Sequence, residues 1–253
     1  VRVVVLRGMV MTRDGTPLPG VDITVHEHSE YGQTQSRVDG QFDMVVNGGG
    51  YITINFEKNG FLSVQRRVDA PWQNYLVMPE VAMVPLDTQV TTIDLNTGTT
   101  LMAQGSTSDD VDGQRHAAVV FPAGTTAELL LEGGGTQPIS GLNIRATEYT
   151  VGDNGAAAMP GVLPMASGYT YAVELSADEA MTSGVSGLNF NQPVFNYVDN
   201  FLGFPVGSTV PSGFYDMERA QWVPEENGLV IKIISITGGL VDVDVDGDDS
   251  ADT

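Results

Sequence analysis

The sequence predicts an all-β protein: two consecutive antiparallel β-sandwiches followed by an Asp-rich tail. Three observations predict it. Runs of five to seven residues alternate apolar and polar side chains, the period of a strand with one buried face. Glycine and proline together make up 43 of the 253 residues, and they fall between those runs. Only one stretch carries a helix-start signal.

Along the first part, Val21-Asp-Ile-Thr-Val25 alternates valine and isoleucine with Asp22 and Thr24. Gln41–Val46 puts Phe42, Met44 and Val46 on one face. Tyr51–Phe56 puts Ile52, Ile54 and Phe56 on one face, with Tyr51, Thr53 and Asn55 on the other. Turn residues separate them: Asp14-Gly15, Pro19-Gly20, Asp39-Gly40, Asn47-Gly-Gly-Gly50 and Asn59-Gly60. Each offers a residue that tolerates positive φ or fixes a turn. Short strands at this spacing read as a sandwich over residues 1–90.

The second part has longer loops. Its expected strands are Ala117–Phe121, Ala127–Leu131, Leu142–Ala146, Tyr169–Leu175 and Leu229–Ile234. Ser176-Ala-Asp-Glu179 has the form of a capping box, and Ser183-Gly184 stops the short helix it would start. A second sandwich over 97–236 follows, joined to the first by the Thr- and Asn-rich stretch around Asp94–Thr100. The tail, 240–253, carries six aspartates in its last twelve residues.

Charge limits function. Eleven Lys and Arg against 32 Asp and Glu give a formal charge of −21. Binding to nucleic acid needs clustered cations, and so does docking on anionic lipid, so neither is expected. No apolar run approaches the roughly 20 residues of a spanning helix, so membrane insertion is not expected. Without cysteine there are no disulfides, thiolate metal sites or cysteine nucleophile. The chain opens on Val1 and closes inside an acidic motif, which reads as a fragment of a longer protein with any signal peptide outside it.

The tail carries the sharpest chemical signal. Calcium takes six to eight oxygens, mixing carboxylates and carbonyls around a sharp turn. Asp244-x-Asp246-Gly-Asp248-x-x-x-Asp252 spaces carboxylates at positions 1, 3, 5 and 9. This resembles the Asp-rich calcium repeats of thrombospondin type 3, although Asp249 stands where position 6 is usually glycine. A second register, Asp242-x-Asp244-x-Asp246-Gly247, resembles the opening of an EF-hand loop. It lacks the bidentate glutamate at position 12, where Thr253 stands. Ca²⁺ is the expected cofactor, with Asp242, Asp244, Asp246, Asp248 and Asp252 as its ligands. The competing reading is a solvated acidic linker.

Other constellations are weaker. His26 and His28 lie two apart and share a face if they sit on a strand, a spacing that suits Zn²⁺ or Cu²⁺. The favoured reading is a polar strand edge facing water, since the only other histidine, His116, sits in the second half of the chain. Trp72, Tyr75, Tyr215 and Trp222 offer a sugar-stacking platform or, beside their prolines, plugs for the sandwich ends. No Gly-x-Ser-x-Gly elbow, phosphate loop or His-Glu-x-x-His is present, so no catalytic residue is assigned.

Three stretches of the first part carry a family resemblance: Gly15-Thr-Pro-Leu-Pro-Gly-Val-Asp-Ile-Thr-Val25, Tyr31–Met44 and Asn47-Gly-Gly-Gly50. They resemble the transthyretin-like, carboxypeptidase-regulatory-like sandwich of teneurins and of bacterial Rhs (YD-repeat) proteins. Stretches such as Phe121–Thr126, Arg145–Gly152, Asn200–Gly207 and Trp222–Gly228 resemble the region that follows in the bacterial proteins. The resemblance implies a non-catalytic structural or adhesive scaffold from the N-terminal part of a large exported cell-surface protein. Its partner would be a downstream YD-repeat shell of the same chain. Two alternatives stand beside this reading. One is an adhesin domain that binds a glycan or protein. The other is an autoproteolytic or hydrolytic domain, which needs a buried acid of shifted pKa.

Overall fold

A computed structural model describes residues 2–164, 167–182, 184–238 and 240–252. The first sandwich comprises β1 (Val3–Thr12), β2 (Asp22–Val25), β3 (Gln33–Gln35), β4 (Gln41–Asn47), β5 (Gly50–Glu57), β6 (Val64–Ala70), β7 (Asn74–Val77) and β8 (Val81–Met83). One sheet runs β4-β1-β7, with β8 also paired to β1, and the facing sheet runs β3-β2-β5-β6. Val4, Leu6, Val10, Phe42, Met44 and Val46 point inward from the first sheet and meet Ile23, Ile54, Phe56 and Val64 from the second.

The sandwich is not antiparallel throughout. Strands β7 and β8 run parallel to β1, at Val4↔Asn74 and Val10↔Val81. Parallel neighbours need a crossover, and here the chain makes it by passing through the second sheet before it returns beside β1. Strand β1 itself escapes the alternation rule. Val3-Val-Val-Leu6 is apolar on both faces, although only Val4 and Leu6 are fully buried.

Gly8 marks the tightest point of this core. A Cβ there would stand 2.8 Å from the Phe42 ring. That ring is buried and lies edge-on to Phe56, with centroids 5.6 Å apart, so it has nowhere to move. Gly8→Ala is expected to cost about 1–3 kcal/mol by overpacking. Urea unfolding should show a lower midpoint with an unchanged slope.

The second part is built from β9 (Thr91–Asp94), β10 (Leu101–Gln104), β11 (Ser108–Asp110), β12 (Gly113–Arg115), β13 (Ala117–Phe121), β14 (Ala127–Leu131), β15 (Thr136–Ile139), β16 (Gly141–Glu148), β17 (Val173–Ala177), β18 (Val185–Phe190) and β19 (Phe195–Val198). Three sheets, β10-β13-β19, β15-β14-β18 and β17-β16-β9, turn their inner side chains into one core. Ile93, Val119, Phe121, Leu142 and Ile144 lie at its centre. Strand β9 enters the stretch expected to be a joint, because Ile93 is buried and the strand pairs with β16.

Tyr169–Ala172 lies before β17 and is not strand. The expected capping box does not form either. Ser176 sits within β17, and its Oγ is buried without a hydrogen-bond partner. Asp178–Met181 makes a single 3₁₀ turn. Glu179 turns to the neighbouring strand instead, accepting from the Asn143 backbone N–H (2.9 Å) and Nδ2 (2.8 Å). Ser183 lies outside the described residues.

Six short strands complete the described part of the chain: β20 (Thr209–Val210), β21 (Gly213–Asp216), β22 (Gln221–Pro224), β23 (Gly228–Leu229), β24 (Lys232–Thr237) and β25 (Leu240–Asp244). They form the two-stranded ladders β20–β23, β21–β22 and β24–β25. The expected strand Leu229–Ile234 is thus divided between two ladders.

The two sandwiches share a contact of their own. Helical turn α1 (Gly155–Ala158) brings Ala158 and Met159 against Met11, Leu62, Ala82 and Val84 of the first sandwich, with Tyr149 beside them. Buried Arg66 reaches across to donate to the carbonyls of Met159 (2.9 Å) and Ala157 (2.6 Å). Arg13 donates to the Glu148 carbonyl at 2.7 Å. Hairpin β21–β22 folds back on the polar face of the second sheet, where Gln65 donates to the Met217 carbonyl and accepts from the Tyr215 hydroxyl, each at 2.9 Å.

Inside the second part, Arg115 is 1% exposed and each of its three guanidinium nitrogens donates to an acceptor. Asp110 takes two in a bidentate fork at 2.8 and 2.9 Å, and the Gly113 carbonyl takes one at 2.9 Å. Glu148 Oε1 accepts from Nε at 2.8 Å and forms an ion pair with the terminal nitrogen at 2.7 Å. The Phe201 ring covers the guanidinium, its centroid 4.6 Å from Cζ.

Candidate functional site

The Asp-rich tail folds as a loop closing off hairpin β24–β25. Asp244, the last residue of β25, is fully buried. Its Oδ1 accepts from the backbone N–H groups of Asp246 (3.1 Å) and Gly247 (2.6 Å), and its Oδ2 from Asp249 (3.0 Å). Asp246 accepts from the Asp248 N–H and Asp248 from the Ser250 N–H. Asp252 closes the loop in both directions: its carboxylate accepts from the Val245 N–H at 2.6 Å, and its own N–H donates to the Val243 carbonyl at 2.8 Å.

Burial of the Asp244 carboxyl raises its pKa, but the donors on Gly247, Asp249, Asp246 and Asp248 outweigh that and hold it below the usual carboxylate range. The loop backbone does the burying rather than the protein core, so the carboxylate stays ionised. A carboxylate has about four lone-pair sites. Hydrogen bonds from Asp246, Gly247 and Asp249 fill three of those on Asp244, with the Asp248 N–H directed at it as well.

Asp244, Asp246 and Asp252 each bring a carboxylate oxygen to within 4.8 Å of the others. The set is all oxygen, which suits a hard cation such as Ca²⁺. Asp248 and Asp242 do not join this group. Asp248 caps Ser250, and Asp242 lies on the ribbon, accepting from the Ser235 hydroxyl. Position 6 of the repeat keeps its backbone shape without its glycine: Asp249 has φ +64°, in the left-handed region. Aspartate is among the few side chains that tolerate this region. Lys232 Nζ lies 2.5 Å from the Asp249 carboxylate, which raises the lysine pKa. Thr253 lies outside the described residues.

The histidines do not share a face. Strand β2 ends at Val25, and Glu27 takes a left-handed φ of 57° between the two rings, which breaks the period of two. His26 Nε2 meets the Glu218 carbonyl at 2.8 Å. His28 pairs with Glu30 and stacks on Tyr31.

The four aromatic candidates separate into two pairs. Tyr215 and Trp222 pack edge-on within the hairpin that touches the first sandwich, whereas Trp72 and Tyr75 stand in solvent. The buried acid that a hydrolytic reading looks for is Glu174. Burial raises its pKa, and a 3.2 Å hydrogen bond from the Tyr149 hydroxyl lowers it in part. Its neighbour Tyr149, just past the end of β16, is itself pushed up by burial, so the two form a buried hydrogen-bonded pair. Among the described residues no helix is long and apolar enough to cross a membrane.

Residues 1–83 match the family model of the teneurin TTR-like domain. Mouse teneurin-3 is 42% identical over 92 residues, which cover 36% of this chain and 3% of that protein. Fruit-fly teneurin-m is 39% identical over 82 residues, 32% of this chain and 3% of that protein. The chain thus spans about 3% of the length of the curated relatives it matches. A streptococcal ancillary pilin aligns over 58% of this chain and 53% of its own, at 10% identity and a TM-score of 0.30, too low to bear on the fold. The N-terminal region is teneurin-like and transthyretin-like, and the chain is all-β.

Proposed function

From a teneurin-like N-terminal sandwich, we propose that the chain is a non-catalytic structural and adhesive scaffold of an exported, cell-surface protein. In this reading Ca²⁺ fixes its Asp-rich tail against whatever follows, a YD-repeat shell of the same polypeptide. The observation that supports it is the loop around Asp244, where backbone N–H groups hold three carboxylates close together. Without a cation these carboxylates repel one another. With one, Asp244, Asp246 and Asp252 supply three oxygens, and carbonyls or water complete the six to eight that Ca²⁺ takes. The loop then becomes a stiff spacer.

Calorimetric titration of the chain with Ca²⁺ tests this. One binding heat is expected for the native chain and none for the Asp244→Ala, Asp246→Ala variant. Bound Ca²⁺ at a hundredfold excess over its Kd stabilises the loop by about 2.7 kcal/mol. Equal heats from the two proteins would remove calcium from the proposal.

A further inference from the structure

A polar groove of about 540 Å³ lies between the first sandwich and the turn of hairpin β21–β22. A volume of that size suits a small ligand. Strands β5 and β6 contribute Tyr51, Thr53 and Arg67 from the outer face of their sheet, with Arg67 directly opposite Thr53 and diagonal to Tyr51. Glu27 enters from just past the end of β2, and Glu218 and Ala220 come from the turn. Apart from the Tyr51 ring and the Ala220 methyl group, the lining is polar.

The groove is preformed. His26 Nε2 meets the Glu218 carbonyl at 2.8 Å, and Gln65 donates to the Met217 carbonyl at 2.9 Å. Asp216 accepts from the N–H groups of Glu218 (3.0 Å) and Arg219 (2.9 Å). The turn is thus tied both to the sheet and to itself. Glu27 and Ala220 take left-handed φ values of 57° and 52°. Neither is glycine, and backbone held in this region without glycine gathers at ligand clamps, where the surroundings over-determine it.

The charges in the groove are left open. In a chain with 32 acidic residues, Arg67 has neither a carboxylate nor a carbonyl to bind among the described residues. It rests on the Tyr51 ring instead, 4.9 Å from the centroid, and Tyr51 is 67% exposed. Guanidinium and ring make one wall, the first suited to a planar anion and the second to an apolar face. Glu27 and Glu218 likewise have no ion-pair partner among the described residues. Ionised carboxylates only accept hydrogen bonds, so these two look for donors. Arg219 is turned to Asp216, 3.6 Å away.

We infer that this groove binds a carboxylated sugar, a pyranose bearing one acidic group. The Arg67 fork takes the carboxylate in two parallel hydrogen bonds. The apolar side of the sugar ring lies against Tyr51, and its hydroxyls donate to Glu27 and Glu218. A neutral sugar leaves Arg67 unmet, and a simple anion leaves both glutamates and the aromatic ring unmet. The site uses no residue of the Asp244 loop, so it adds a ligand to the adhesive reading without resting on calcium.

Saturation-transfer NMR of the 253-residue chain tests this, in chelator, so that the calcium reading can fail separately. Glucuronate and N-acetylneuraminate are the probes, one a uronate and the other a sialate. Glucose and acetate are the controls, which carry the hydroxyls alone and the carboxylate alone. Saturation transfer is expected to at least one acidic sugar and to neither control. Arg67→Met and Tyr51→Ser should each weaken that binding by about tenfold or more. Arg67→Lys keeps the charge without the fork and should fall between. Thermal melts check that these surface variants stay folded. No transfer to either acidic sugar would overturn the inference, as would equal transfer to glucose or acetate, or undiminished binding by Arg67→Met.

Discussion

Arg115→Leu is expected to lower the unfolding free energy by about 3–5 kcal/mol, the usual loss when one partner is taken from a buried ion network. Leucine fills part of the volume but leaves the carboxylates of Asp110 and Glu148 without a counter-charge. In the native chain, Arg115 holds Asp110 well below the usual carboxylate range through its hydrogen bonds, against the opposing effect of burial. A depressed carboxylate stabilises the fold above its unfolded pKa of about 3.9 and loses that contribution as pH falls through its folded value. The native protein should therefore lose stability below about pH 4. The variant, already lacking the ion pair, should show a flatter acid limb. Adding Asp110→Asn and Glu148→Gln to Arg115→Leu should recover part of the loss, because no buried charge is then left unpaired. Chemical denaturation across pH separates these outcomes, and a native-like midpoint for Arg115→Leu would show that the network contributes nothing.

The strands readable in advance were those with one wet face. Strands β2, β4 and β5 alternate, and their bounds in the fold lie within a residue or two of the alternating runs, whereas β13 and β14 were legible as short apolar runs between turns. Strand β1 was hidden because its outer side chains, Val3 and Val5, are apolar too. The capping box at Ser176 was a local signal overridden by pairing: β17 continues through Ser176 and Ala177 opposite Arg145 and Ile144. In the tail, spacing put five aspartates forward, and the loop brings Asp244, Asp246 and Asp252 of them together, because turn geometry there is local. The same spacing could not show that Asp242 belongs to the ribbon, since that depends on Ser235 seven residues earlier. Nor does residue identity reveal that Asp249 adopts the glycine-like conformation at position 6. Arg115 and Arg66 gave no sequence signal, because their partners lie on strands and turns distant in the chain.

Arg66→Met is expected to uncouple the two sandwiches. Arg66 is buried with carbonyls as its hydrogen-bond partners, those of Gln65 (2.7 Å), Met159 and Ala157. Burial pulls its pKa down to about 10, so the guanidinium remains charged at neutral pH. Each bond to a charged donor contributes about 1.5–3 kcal/mol, and two of the three cross between the sandwiches. Methionine keeps the length and the apolar stem but leaves the Ala157 and Met159 carbonyls without this donor. It also removes the cost of burying a charge, which a shift of this size places near 3 kcal/mol. The bonds win by a modest margin, and a net loss of up to about 3 kcal/mol is expected, confined to the contact made by α1. Because Met11, Leu62 and Met159 pack around the same point, their burial weakens along with it. Calorimetry should show one unfolding transition in the native chain and two in the variant, with the first sandwich melting separately from the second. Arg66→Lys keeps the charge but lacks the fork that reaches both carbonyls, so it should fall between them. A single unshifted transition in Arg66→Met would mean that the apolar contact and the remaining bonds, such as that of Arg13 to the Glu148 carbonyl, hold the two sandwiches together without it.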